Sequence, residues 1–276
     1  MVFGAVAVGL MMSAGTLGAA TIKGSKHDLG SGGTSQYSSA GAPTPSTTEV
    51  CVFCHTPHGA NTAATAPLWN KSLPAAGSYT RYSTLNSTTI DGTNVAVGSV
   101  SLACLSCHDG SQAMDVMINK PGSGGYNASG ASLGSTSAGA AMTGTPIPKL
   151  GTDISNDHPI SIQYGGGGWN SSNTSDGAVA ITNLRDGSFN AGYRATINST
   201  PVWWIDTSGG TAGARDKTDI ILYTRDAASG AAGVYEPFVE CASCHDPHNA
   251  DATTTNVSFM RISNTGSAVC LACHNK

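Results

Sequence analysis

Apolar residues are unevenly spread along this chain. The one sustained apolar run is at the start, where Val6, Val8, Leu10, Met11 and Leu17 sit among glycine and alanine and lead to Gly-Ala-Ala before Thr21. Residues 1–20 read as the apolar region and cleavage site of a secretory signal, although the usual basic n-region is missing. A short membrane anchor or a buried helix is the alternative, since the run is short for a span of roughly 20 residues. No later stretch is long and apolar enough to cross a bilayer, so no membrane span is expected in the mature chain.

From Thr21 to Glu49 the chain is rich in Gly, Ser, Thr and Pro, with His27 in the sequence Lys-His-Asp-Leu, and reads as an irregular arm. The alternation Val95, Val97, Val100 beside Asp91-Gly92 is a weak strand signal. Residues 121–236 form a long Gly/Ser/Thr-rich insertion that contains the run Gly165 to Gly168. Its apolar clusters, Trp203-Trp204 and Ile220-Ile221-Leu222, predict short strands or a small satellite core. The glycine content disfavours long helices. The expected fold is mostly irregular, with short helical turns at the cysteine-bearing blocks and a few short strands, packed as one unit over 21–276.

Ile, Leu, Val and Phe together number 46 of 276 residues, about 17%, below the roughly 20% at which a chain buries too little apolar surface. Disordered chains with this shortage are usually highly charged. Here only 11% of residues are charged and the net charge is -4, so a different source of apolar mass is required. Large flat cofactors wrapped by Gly, Ser and Thr loops would supply it. With 13 Lys plus Arg against 17 Asp plus Glu there is no basic stripe for phosphate contacts, and nucleic acid is not an expected partner.

The cysteines identify the cofactor. All eight fall into four Cys-x-x-Cys-His motifs: Cys51, Cys54, His55; Cys104, Cys107, His108; Cys241, Cys244, His245; and Cys270, Cys273, His274. Thiols three positions apart can reach the two vinyl groups of one haem while the adjacent histidine turns onto the iron, which is the attachment signature of c-type haem. Zinc sites need no histidine after every second cysteine. Four covalently attached haem c groups are expected, in pairs around 51–108 and 241–274, with His55, His108, His245 and His274 as proximal ligands.

Four further histidines, His27, His58, His158 and His248, match the four irons in number. They are the candidate distal ligands, giving bis-histidine irons with no position open for a substrate and low-potential electron transfer rather than catalysis. Met114, Met117, Met142 and Met260 are the competing ligands, although methionine more often fills core gaps. His158 could instead be a loop histidine bonded to Asp157, and His27 could be solvent-exposed. His58 and His248 each follow a proximal histidine by three residues, within about 10 Å along an extended backbone. A link this short, stiffened by Pro57 or Pro247, does not readily span a macrocycle, so each is expected to serve a neighbouring haem. That would hold the haems close together, as electron tunnelling requires.

Cys51-Val-Phe-Cys-His-Thr-Pro-His58 and Cys241-Ala-Ser-Cys-His-Asp-Pro-His248 form an internal repeat. With Lys-His-Asp-Leu at His27, these blocks resemble the extracellular tetrahaem c-type cytochrome nanowire family (OmcE-like) of metal-reducing bacteria. The resemblance covers most of the mature chain by motif order and only loosely through the insertion. It implies a loop-built protein around stacked bis-histidine haems, end-to-end polymerisation, and electron delivery to redox partner cytochromes or extracellular acceptors. In such filaments an axial histidine can come from the next subunit, and His27 is the candidate here. The expected location is extracellular or at the cell surface, with the periplasm as alternative. A soluble periplasmic carrier is the competing function, and a multihaem reductase is disfavoured by the matched histidine count.

Overall fold

The computed structural model describes residues 22–33, 35, 37, 47–122, 125–134, 141–144, 148–207, 211–228, 230–249 and 257–275. The signal reading of residues 1–20 lies outside them, and among the described residues no helix is long and apolar enough to cross a membrane.

The insertion carries the larger of two sheets. Strands β3 (Ile162–Gln163), β4 (Gly177–Val179), β5 (Gly192–Ile197), β6 (Thr200–Ile205), β7 (Ile220–Asp226) and β8 (Tyr235–Val239) form an antiparallel sheet in the order β3-β8-β7-β6-β5-β4. The two clusters read from the sequence lie at its centre, where Trp203, Trp204 and Ile205 of β6 and Ile220, Ile221 and Leu222 of β7 are all buried. Continuous apolar runs of this kind mark strands covered on both faces. Trp203, Ile205, Ile220 and Leu222 pack with Tyr164, Trp169, Val179, Leu184 and Val239 into the main core. Asn198 and Ser199, at φ 48° and 61°, make the two-residue turn joining β5 to β6, a left-handed geometry that matches strand twist.

The smaller sheet pairs β1 (Val116–Asn119) with β2 (Tyr126–Ser132). Beneath it Phe53, Met114, Met117, Leu133 and Met142 form a second core, against which Cys54 and Cys107 pack. Three of the four competing methionines are therefore packing residues in this fold. A third cluster gathers Tyr79, Val97, Leu102, Leu105 and Ile154 around helix α1 (Ser99–His108).

The valine alternation at 95–100 does not make a strand. Val95 N donates to Ser161 O at 2.9 Å and Asn94 forms one isolated bridge with Ile162, but Gly98 then becomes the N-cap of α1 and Val100 lies inside the helix. Val97 is buried against that helix instead.

The run Gly165 to Gly168 has positive φ throughout, rising from 55° to 107°. A Cβ at Gly168 would fall onto the carbonyl oxygen of Asn183, a backbone atom that cannot step aside. Gly168→Ala is expected to destabilise the protein by about 3 kcal/mol through this clash and the forced left-handed backbone. Urea denaturation of the wild-type and variant proteins measures it.

Candidate functional site

Each motif lies on a short helical turn, which puts cysteines at i and i+3 on one face. The turns are the 3-10 turn Val50–Phe53, α1, α2 (Cys241–Cys244) and α3 (Ala268–Cys273). None of the eight cysteines is bonded to another.

A return segment runs back along the motif and fixes its histidine. At the first motif Thr56 N donates to Leu68 O, Asn70 N to Cys54 O at 2.8 Å, and Asn70 Nδ2 to Val52 O at 2.7 Å. At the third, Asp246 N donates to Phe259 O, Arg261 N to Cys244 O at 2.8 Å, and Arg261 Nε to Ala242 O at 3.0 Å. Leu68 and Phe259, equivalent in this pattern, both adopt the left-handed conformation that non-glycine residues avoid, at φ 54° and 59°. The repeat seen in the sequence thus extends to its supporting loops.

The fourth motif has the same support from a distant stretch of chain: Asn190 N donates to Cys273 O at 2.8 Å and Asn190 Nδ2 to Leu271 O at 2.8 Å. Phe189 pairs with His274 as Trp69 pairs with His55 and Met260 with His245. Sequence reasoning missed Phe189 and Asn190, because they lie in the loop between β4 and β5, far from any cysteine.

Three of the motif histidines have their orientation and tautomer set by a backbone carbonyl. Nδ1 lies 2.6 Å from Pro67 O in His55, 2.7 Å from Pro148 O in His108 and 2.8 Å from Ser258 O in His245. A carbonyl only accepts, so Nδ1 carries the proton and Nε2 keeps its lone pair for a metal, the usual arrangement of a ligating histidine.

The spare histidines are not scattered. The ring of His248 faces that of His55, nearly parallel at 19° with centres 6.0 Å apart. The His27 ring lies edge-on to that of His108, with centres 6.1 Å apart at 69°, and stacks on Phe259 at 4.0 Å. An iron held on both faces needs two metal–nitrogen bonds of roughly 2 Å and about 1 Å more from each nitrogen to its ring centre, placing ring centres about 6 Å apart. Both pairs fit that requirement. Within the chain, the His27 ring lies beside that of His108.

Burial lowers the pKa of His27 to about 4, helped by repulsion from His108 and opposed by the carbonyl of Pro247. Burial also lowers that of His108, the Pro148 carbonyl opposing. Both rings are therefore neutral at physiological pH, the form that binds metal. His158 is lowered as well, by burial first and also by repulsion from His274, with its Nδ1 3.0 Å from Pro159 O. No ion pair or hydrogen bond from the His158 ring to Asp157 occurs among the described residues. The exposed ring of His58 faces no other ring among the described residues, while its carbonyl accepts from Thr56 Oγ1 at 3.0 Å and from Asn119 Nδ2.

The motifs are also near one another. The Cys104 and Cys241 thiols interact, which raises the first and lowers the second, while Cys104 Sγ donates to Val100 O at 3.6 Å. Burial pushes Cys54 up to about 12, with Cys107 adding to the rise and Lys71 opposing it. Burial pushes Cys273 up to about 12, with Cys244 and Cys270 adding. The joint between the second and third motifs is built on Glu240, the N-cap of α2. Its buried carboxylate accepts from Ser101 Oγ at 2.5 Å, Ser161 Oγ at 2.9 Å and an Arg225 guanidinium nitrogen at 3.1 Å. Ser101 Oγ in turn accepts from Cys241 N at 3.0 Å.

The doubled CXXCH motif family matches residues 236–276, the stretch that holds the third and fourth motifs. This stretch is a haem-attachment region of the multihaem c-type cytochrome kind, with covalently bound haem c and a role in electron transfer. No curated protein matches the chain.

Proposed function

We propose that the chain binds four bis-histidine c-type haems and passes electrons along them as the subunit of an extracellular filament. The observation that carries the reading is two pairs of neighbouring imidazoles, His55 with His248 and His108 with His27, whose ring centres lie about one axial span apart. A bound haem supplies an iron that takes up and releases one electron. The protein's part is to hold the ligands still and to bring the attachment sites together, and the chain is expected to wrap the haems with its loops.

In this reading His274 takes His158, which lies near enough to it for their like charges to repel. His58 is then left for the iron of His245. Pro57 and the two hydrogen bonds to its carbonyl fix the backbone of His58 while its ring stays exposed, an arrangement suited to ligation between subunits. This assigns to His58 the intersubunit role that the family resemblance suggested for His27. With every iron six-coordinate, no position is open for a substrate, so the reading is of an electron carrier rather than an enzyme. Export to the cell exterior and exchange with redox partner cytochromes or extracellular acceptors belong to the same proposal.

Intact-mass measurement of the exported protein tests the haem number, and electron microscopy of the same sample tests assembly. Four haem additions and uniform filaments are expected, with His58→Ala retaining four haems and losing the filaments. Four haems with only monomers in the wild type would make the protein a diffusible carrier. Fewer than four would overturn the ligand scheme.

A further inference from the structure

The supporting segments differ in charge at equivalent places. In the first motif the residue after Asn70 is Lys71, fully buried, with Nζ donating to Val116 O at 2.7 Å and Ala113 O at 3.2 Å. The matching position is Ile262 in the third motif and Ala191 in the fourth, placed by the shared hydrogen bonds of Asn70, Arg261 and Asn190. Ile262 is half-buried and Ala191 exposed, so the shared support does not by itself require a cation at this place. Burying an ammonium costs several kcal/mol before compensation, so the cation at Lys71 is not there to fill space.

The third motif has its cation one position earlier. Arg261 makes with Nε the bond to Ala242 O that Asn70 and Asn190 make with an amide, and a second guanidinium nitrogen donates to Lys217 O at 2.8 Å. An amide satisfies that carbonyl in two of the three motifs, so here too the charge is additional to the structural need. The fourth motif, with Asn190 and Ala191, has neither cation. Both cations lie beside the second cysteine of their motif: Arg261 N donates to Cys244 O and its Nε to Ala242 O, while Lys71 follows Asn70, whose N donates to Cys54 O, and its Nζ is held by carbonyls that flank Met114 of the core on which Cys54 packs. Asp115, buried between the two carbonyls that hold Lys71, directs Oδ2 to Ser132 Oγ and Gly134 N.

We propose that Lys71 and Arg261 are positioning charges that raise the reduction potentials of the first and third haems above that of the fourth. A fixed positive charge near an iron favours the state that has gained an electron, and inside a protein such a charge is weakly screened. The inference rests on the reading that each motif holds a haem.

The test is a spectroscopic redox titration of the haem-loaded protein, with haem number checked by intact mass. Lys71→Met is expected to lower one midpoint by about tenfold in the reduction equilibrium, 59 mV for one electron. Arg261→Met is expected to lower a different one. Lys71→Arg and Arg261→Lys, which keep the charge, should restore the wild-type values, a rescue that a purely structural role would not give. Unchanged midpoints in both methionine variants, or the same uniform shift of all four haems, would overturn the proposal. A missing haem in Lys71→Met would instead count against the haem-loading reading at that motif, and the partly exposed Arg261 then decides the question alone.

Discussion

Replacing His248 by alanine is expected to turn one haem of the loaded protein from six-coordinate low-spin to five-coordinate high-spin while leaving its covalent attachment intact. The His248 ring sits 6.0 Å from that of His55 and nearly parallel to it, and in the proposed ligand scheme it closes the far face of the first iron. Attachment depends on Cys51 and Cys54, which the substitution does not touch. The near-infrared and Soret bands should show about one haem in four converted, with the haem mass unchanged, on the four-haem reading. Added imidazole should restore the low-spin spectrum by occupying the vacated position. A fully low-spin His248→Ala protein would mean that another side chain serves that iron.

The second large effect is expected at Glu240. Its carboxylate joins Ser101 of α1, Ser161 beside β3 and Arg225 of β7, with 1% of its side chain exposed against 25% for Arg225. Burial raises its pKa, while Ser101, Arg225 and Ser161 oppose the rise by stabilising the anion. Glu240→Leu removes the shared acceptor and leaves two buried hydroxyls and a half-covered guanidinium without it. A loss of about 3 kcal/mol is expected, the lower end for breaking a buried pair because Arg225 can still reach water. Guanidinium denaturation of the loaded protein checks it. Glu240→Gln keeps an acceptor and should lose less; equal stability for Glu240→Leu and wild type would show that this joint does not hold the second and third motifs together. Gly98 belongs to the same design, since a Cβ there would run into the Glu240 carboxylate.

Much of the candidate site was legible in the sequence because covalent haem attachment is a local requirement. Two thiols and a histidine within five residues form the motif, and the doubled CXXCH match over 236–276 falls on the third and fourth copies. The core of the large sheet was partly legible, since Trp203-Trp204 and Ile220-Ile221-Leu222 announced themselves as apolar clusters. Its extent was not: β4 and β5 are short, Gly-rich or half-exposed, and exist because of their neighbours. The 95–100 alternation misled because a period-2 pattern of three valines is too short to outweigh a glycine N-cap and the helix that follows it.

By itself the sequence determined the chemistry: which residues can attach haem, how many histidines are available to the irons, and that a protein-only core would be thin. Those follow from residue type and spacing along a few turns of chain. The tertiary structure decided which of these residues come together. Only the fold brings His27 across 81 positions to His108, His248 across 193 to His55, and Asn190 across 83 to Cys273. Such contacts depend on loop closure and packing between distant segments, and no local pattern encodes which histidine will face which iron.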